Sequence, residues 1–253
     1  MLVEKRRLGS TDIDISVVGL GTVKFGRNQG VKYPAAFDLP SDEQCRQLLN
    51  LAKAIGINFL DTAPAYGSSE TRLGQFLKGQ RHDWVISTKV GESFENGESQ
   101  FNFSVDAIIA SVNDSLRRLN TDYLDVVLVH SNGDDVALIE AGVFEPLMQL
   151  KSQGKIRAFG MSTKTIAGGK LAVDLSDVVM VSFNPTYTDE RDVIVHAHEK
   201  QKGVLIKKAL ASGHLVETVS PIDALRLVLA EPGVTSAVVG TLNPQHLLEN
   251  TCF

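Results

Sequence analysis

A closed (β/α)8 barrel is the fold this sequence predicts, and three observations carry the prediction. Eight short apolar runs recur along the chain, segments of helical period separate them, and no linker, low-complexity tract or composition break divides residues 1–253. A length of 253 residues suits one such barrel, so a single domain is expected.

The first residues place apolar Leu2, Val3, Ile13 and Ile15 around a Gly9-Ser10-Thr11 turn, which predicts a β-hairpin able to plug the closed end of the barrel. The strands follow as VVGLG (17–21), NFLD (58–61), WVISTK (84–89), LDVVLVH (124–130), AFGMS (158–162), VVMVSF (178–183), GVLIK (203–207) and SAVVG (236–240). They are almost continuously Val, Ile and Leu because helices cover one face of a parallel sheet and the barrel core fills the other. The helices announce their own limits. Ser41 and Gln44 form a capping box, Leu48, Leu51 and Ile55 share a face, and Gly56 stops that helix. From Ser104, Ile109, Val112, Leu116 and Leu119 keep an apolar stripe. Ser220 caps a helix that has Pro221 at its first position and Pro232 past its end. An open doubly wound sheet is the alternative, but GLGTVKFG lacks the third glycine of a dinucleotide fingerprint.

Composition narrows the function. Net charge is −5 with no long basic run, so neither nucleic acid nor an anionic membrane surface is the expected partner; a small molecule is, acting on a monomer. Cys45 and Cys252 are the two cysteines, too few for a disulfide framework, and no apolar stretch approaches the roughly 18 residues of a membrane helix, so a cytoplasmic location is expected. His196 and His198 are two apart in a predicted helix, with no carboxylate or cysteine cluster to complete a metal site, and no metal is expected.

In a parallel barrel the loops after the strands build the site, so polar residues at strand ends carry the chemistry. Asp61 ends the second strand, Lys89 the third and His130 the fourth, while Tyr66 lies on the loop after Asp61. Each alone has an ordinary structural reading: a turn-forming aspartate, a half-exposed tyrosine, a lysine snorkelling to the rim, a satisfied core histidine. Together they bring an acid, an ammonium, an imidazole and a phenol to one rim.

That set resembles the catalytic tetrad of the aldo-keto reductases, (β/α)8 oxidoreductases that use NAD(P)H. The likeness runs through VVGLGT, FLDTAPAYGSSETRLG, VISTKVG, SLRRLNTDYLDVVLVHS, GKIRAFGMST and GTLNPQHLLEN. It implies reduction of an aldehyde or ketone, with Tyr66 as acid, Lys89 lowering the phenol's pKa, Asp61 holding Lys89, and His130 orienting the substrate oxygen. It also implies cofactor contacts from Gly21 and Thr22, and from Ser162 and Thr163, the latter standing where relatives have asparagine. Met180 stands where they have glutamine, and Lys207 where they stack an aromatic on the nicotinamide. Lys208, Leu210 and Ser212 fall in the phosphate segment, and Thr241, Asn243, Gln245, Glu249 and Asn250 in the adenosine segment. Gly240 and His246 take the slots where NADPH-specific relatives have lysine and arginine. NADP(H) is the cofactor the family implies, with NAD(H) as the alternative. Many relatives also carry a tail beyond the eighth helix, whereas this sequence stops at Phe253, so a more open pocket is expected; the long loops after strands one and three offer Phe25, Tyr33, Phe37, Phe94 and Phe101 instead. Two other functions share these residues: a Schiff-base aldolase or lyase using Lys89 or Lys207, and a non-catalytic nicotinamide-binding barrel.

Overall fold

The computed structural model describes residues 2–215 and 219–252. Eight parallel strands close into a barrel: β1 (Val18–Gly21), β2 (Phe59–Asp61), β3 (Val85–Val90), β4 (Leu124–His130), β5 (Ile156–Ser162), β6 (Val178–Ser182), β7 (Gly203–Lys207) and β8 (Ser236–Val239). Each lies within two residues of the run that predicted it. Neighbours in sequence are neighbours in the barrel, and β8 returns to β1 with Ala237 opposite Val18 and Val239 opposite Leu20. β5 and β6 approach most closely at Gly160, where a Cβ would meet the Val178 carbonyl oxygen at 1.6 Å, so only glycine lets the two backbones pair there.

The hairpin pairs Lys5–Arg7 with Asp14–Ser16 below the barrel. Leu8, Ile13 and Ile15 are fully buried against inward side chains of the strands, among them Phe59, Val126 and Leu205. Leu8 does the plugging that the sequence assigned to Leu2, which is 70% exposed. Gly9 makes this possible: its φ of +56° turns the tip under the barrel floor, where a Cβ would lie 2.4 Å from the Gly203 amide.

The predicted caps at Ser41 and Ser220 both form, the first as a full capping box, and Ser104, where the next long helix was expected to begin, caps it by accepting from the Ala107 amide. Two apolar stripes are rotated from the expected ones. Cys45, Leu48, Leu49 and Ala52 are the buried residues of the first long helix, and Ile108, Val112, Ser115 and Leu119 those of the second, while Leu51, Ile55, Ile109 and Leu116 pack at the flank. The stripe is wider than one ridge, and the barrel takes its small members because they allow close approach.

The segment after β3, expected as an irregular loop, is an antiparallel hairpin pairing Glu92–Glu95 with Glu98–Phe101. Asn96 and Gly97, with φ of 54° and 87°, form its two-residue turn. Among the described residues no helix is long and apolar enough to cross a membrane.

Candidate active site

Side chains on a strand alternate between its faces. On β4, Val126 and Leu128 enter the barrel interior while Val127 and Val129 meet the helices, so His130, one step on, faces inward at the top. The same count puts Asp61 above Phe59, Ser162 above Ala158 with Gly160 between, and Lys207 above Leu205. On β3 it carries Lys89 inward two steps beyond Ser87. The pleat thus delivers one strand-end side chain after another to a common rim.

There, Lys89 donates from Nζ to both carboxylate oxygens of Asp61, each at 2.8 Å, and to the Thr62 carbonyl at 2.9 Å. Both charges are buried, with Lys89 only 2% exposed. Tyr66 arrives on a single 3-10 turn, Pro64–Tyr66, that Pro64 starts. Its ring centroid is 4.8 Å from the ammonium. Burial acts to lower the Lys89 pKa, but the Asp61 charge outweighs it and the net direction is upward, so Lys89 is an ammonium at neutral pH. The phenol behaves differently from the sequence expectation. Burial raises its pKa, and although Lys89 pulls it down by charge and hydrogen bonding, Asp61 and Glu92 push upward and the net shift is upward. Tyr66 is therefore a protonated phenol whose conjugate base has a cation waiting beside it.

His130 stands edge-on to Tyr66, with ring centroids 6.4 Å apart. Its Nδ1 lies 2.6 Å from Glu92 Oε2, off the line of the N–H. Burial lowers the His130 pKa while Glu92 opposes, and the net direction is down. Glu92 was not among the residues read from the sequence. It starts the 92–101 hairpin, accepts from Ser99 Oγ at 2.6 Å, and shares the charge environment of Arg27. Arg27 ties the loop after β1 down: it donates to the carbonyls of Gln29, Gly30 and Ala65, and its guanidinium stacks 3.3 Å from the Phe94 ring centroid.

A titration follows from this pair. Burial opposes ionisation of Glu92, but the close approach of His130, with Ser99 and Arg27, prevails, and its pKa falls from 4.5 to about 2. A depressed carboxylate stabilises the fold above its unfolded pKa and loses that contribution as pH falls through its folded one. The wild-type thermal midpoint should therefore exceed that of Glu92→Gln above pH 4.5, and the margin should shrink as pH falls from there and be largely gone below about pH 2. A margin independent of acid would mean that Glu92 contributes through packing rather than charge.

A cavity of about 1650 Å³ opens above the tetrad. That exceeds the few hundred to about 1,000 Å³ of a single small-ligand pocket and leaves room for a dinucleotide beside a substrate. Gly21, Ser162, Thr163 and Lys207 line it, as does Met180 one layer down. Lys208, Leu210 and Ser212 line it beside them; Lys208 and Ser212 hold φ of 56° and 58°, a left-handed conformation that non-glycine residues adopt at a cost and that clusters at ligand-binding loops. Gly240, Thr241, His246, Glu249 and Asn250 complete the far end.

Three expected contacts lie outside the lining. Thr22 is fully buried, donating to the Asp61 carbonyl at 2.9 Å and accepting from Ser69, so it braces the Asp61 backbone. Asn243 caps the helix Pro244–Glu249 by accepting from the Gln245 amide, and Gln245 donates to Glu249 at 3.0 Å. The loop aromatics divide similarly. Tyr33 and Phe101 line the cavity, Phe25 belongs to the core, Phe37 packs edge-on against Tyr33, and Phe94 supports Arg27. Of the stretch after Gly213, Val216, Glu217 and Thr218 lie outside the described residues. Among the described residues no group of His, Cys, Asp or Glu is placed to hold a metal; His196 pairs with Asp174 at 2.9 Å.

A parallel barrel with a buried Asp–Lys pair beside a phenol, beneath a dinucleotide-sized cavity, defines a barrel oxidoreductase. The family-level comparison agrees: residues 17–223 match the model of the aldo/keto reductase family, and the chain belongs to that family of nicotinamide-dependent oxidoreductases. Among solved structures it is similar to PA4992 of Pseudomonas aeruginosa, provisionally assigned as an aldo-keto reductase, with a TM-score of 0.89 and 46% identity over 98% of this chain and 92% of that one. Among curated proteins it is 28% identical to the uncharacterised oxidoreductase YqkF of Bacillus subtilis, over 98% of this chain and 90% of that one. It is 36% identical to the NADH-specific methylglyoxal reductase of Escherichia coli, over 62% of this chain and 51% of that protein.

Proposed function

We propose that this chain reduces an aldehyde or ketone to the alcohol, with Tyr66 as proton donor, and that the Asp61–Lys89 pair beside Tyr66 is the observation carrying the reading. A bound reduced nicotinamide supplies the hydride. The protein's task is to meet the negative charge that develops on the carbonyl oxygen. Tyr66 gives its proton to that oxygen, and Lys89 stabilises the phenolate left behind. Asp61 keeps Lys89 charged and aimed, because an unpaired ammonium so deeply buried would shed its proton. His130 orients the substrate. The lowered pKa of His130 leaves the ring neutral at neutral pH, so it donates to a carbonyl oxygen as the tautomer that carries its proton on Nε2. All these groups come from one chain, so a monomer suffices.

The adenosine end bears on the cofactor. The slots for the family's lysine and arginine hold Gly240 and His246, and the carboxylate of Glu249 lines the same end. A 2′-phosphate there has no guanidinium to hold it and an acidic neighbour to repel it. We read the site as accepting NADH, as the name of the Escherichia coli relative says of that protein. Fluorescence titration with both dinucleotides, followed by a screen of aldehydes and ketones, tests the reading. NADH should bind at least as tightly as NADPH and be oxidised by some of the carbonyls. Failure to bind either dinucleotide would sink the proposal, and binding without turnover across the screen would favour a non-catalytic barrel.

A further inference from the structure

Two elements that the tetrad does not use frame the mouth of the cavity around His130. One is the 92–101 hairpin, in which Phe101 lies opposite Glu92, the residue that meets His130. The other is the turn after β5. His130 pairs in register with Ser162, and two residues further on the Lys164 amide donates at 2.8 Å to Asp135, a buried carboxylate that also accepts from the Ser131 hydroxyl. Asp135 thus ties the ends of β4 and β5 together and fixes where the Lys164 side chain begins. From there the Lys164 ammonium comes within 5.9 Å of the Phe101 ring centroid. Both residues line the cavity. Phe101 is held by stacking on Phe103, with ring centroids 6.0 Å apart, yet it stays 41% exposed. Lys164 is exposed as well, and its ammonium has no acceptor among the described residues.

Charge is unevenly distributed in this chain. It has 30 acidic side chains against 25 basic ones, but among the described residues seven lysines and arginines and only four aspartates and glutamates line the cavity. Most of those acids are already engaged: Asp61 with Lys89, Glu92 with Ser99, and Glu249 with Gln245. A cleft with an excess of one sign concentrates ligands of the other. The pyrophosphate of a dinucleotide answers part of that excess, with Lys208 in the segment expected to meet it. Lys164, at the mouth around His130, is left for something else.

We infer that the substrate is an ω-oxo acid, a carbonyl compound whose carboxylate is held away from the carbonyl by an apolar spacer, and that Lys164 selects it. The carbonyl oxygen sits at Tyr66 and His130, the spacer runs along the Phe101 ring, and the carboxylate meets the Lys164 ammonium. The spacer is required by Glu92. Its carboxylate lies beside His130, so an anion attached directly to the carbonyl carbon, as in a 2-oxo acid, meets like charge there. The inference rests on the reductase reading above and names the substrate class for that site.

A matched pair of probes tests it. 4-Formylbenzoate and 4-formylbenzamide have nearly the same shape and differ in charge, and comparing the ratio of their kcat/KM values between variants cancels their intrinsic reactivities. At saturating NADH, Lys164→Met should lower the ratio about fivefold, the worth of one partly exposed ion pair, and Lys164→Glu should lower it further. The loss should fall on KM and leave kcat nearly alone, because the carboxylate is bound equally in ground and transition states. It should also shrink at high ionic strength. Lys78→Glu, at an exposed position just past the helix Ser69–Phe76, makes the same change of net charge as Lys164→Glu away from the mouth and should leave the ratio where it is. Phenylglyoxylate, a 2-oxo acid, should be a poorer substrate than its own amide, and Glu92→Gln should reduce that difference. If the wild type reduces both benzaldehydes and the Lys164 variants leave the ratio unchanged, or if Lys78→Glu shifts it as far, the substrate assignment falls while the reductase reading stands. Turnover of neutral aldehydes with rejection of 4-formylbenzoate has the same meaning. If the wild type oxidises NADH with no carbonyl at all, both fall.

Discussion

Tyr66→Phe is expected to lower the rate of carbonyl reduction by about 10²–10⁴-fold, the usual worth of a positioned general acid, and to leave NADH affinity essentially unchanged. The phenol acts on the substrate oxygen as charge grows there, an interaction made in the transition state and absent from the binary complex. Phenylalanine keeps the ring that fills the space beside His130 and gives up only the hydroxyl. The upward direction of the Tyr66 pKa fixes the form of the result. The group is a protonated donor across the neutral range, so the wild-type rate should show no loss from Tyr66 ionisation near neutrality. Transient kinetics would locate the loss in the chemical step, with dinucleotide titration as the control. A variant that turned over like the wild type would remove Tyr66 from the reaction; one that lost NADH binding as well would make it a structural residue.

The barrel and three of the four rim residues were legible because they obey short-range rules, while the family resemblance supplied Tyr66 and the roles of all four. A buried parallel strand has to read as an apolar run, its alternation fixes which side chain enters the barrel, and a polar residue ending such a run is delivered to the mouth. Asp61, Lys89 and His130 follow from that count alone. Glu92 escaped because its importance depends on a hairpin folding back over the rim, yet the signal was present: Asn96-Gly97 between two short runs of alternating residues is a strong indication of a two-residue turn. Glu190, which also lines the cavity, had no local signature. Nothing in TYTDERDV shows that one carboxylate oxygen of this acidic stretch is sealed without a partner, because that depends on β6, β7 and the following helix packing together. Thr22 failed in the opposite direction, matching a contact motif while its hydroxyl is consumed by Asp61 and Ser69. The direction of the Tyr66 pKa was misjudged for a related reason. Sequence identified the cation beside the phenol but could not weigh it against burial and two nearby carboxylates.

Asp61→Ala tests whether the buried pair is a structural unit as well as a catalytic one. Removing one partner of a buried ion pair costs about 3–5 kcal/mol because the other charge stays desolvated, so this variant should unfold roughly 6–20 °C below the wild type, at about 2–4 °C per kcal/mol for a chain of this size. Lys89 would keep the Thr62 carbonyl as its acceptor. With Asp61 gone, burial becomes the dominant influence on Lys89 and its pKa falls, so the lysine loses the charge that supports a Tyr66 phenolate and reduction should fail too. The double variant Asp61→Ala, Lys89→Met separates the two effects. It places apolar groups where the ion pair was, which is often nearly neutral for stability, so much of the thermal loss should return while activity stays absent. The pH dependence has a definite sign. A lysine whose folded pKa lies above its unfolded value near 10.5 stabilises the native state fully below that value and loses the contribution as pH rises through the folded pKa. The wild type should keep that contribution into strong alkali, whereas Asp61→Ala, with its Lys89 pKa depressed, should gain stability as pH rises toward 10.5, so the gap should narrow progressively from neutral pH upward. Additive losses in the two single variants, with no recovery in the double, would show that Asp61 and Lys89 are not energetically coupled, and the catalytic argument built on their pairing would have to be abandoned.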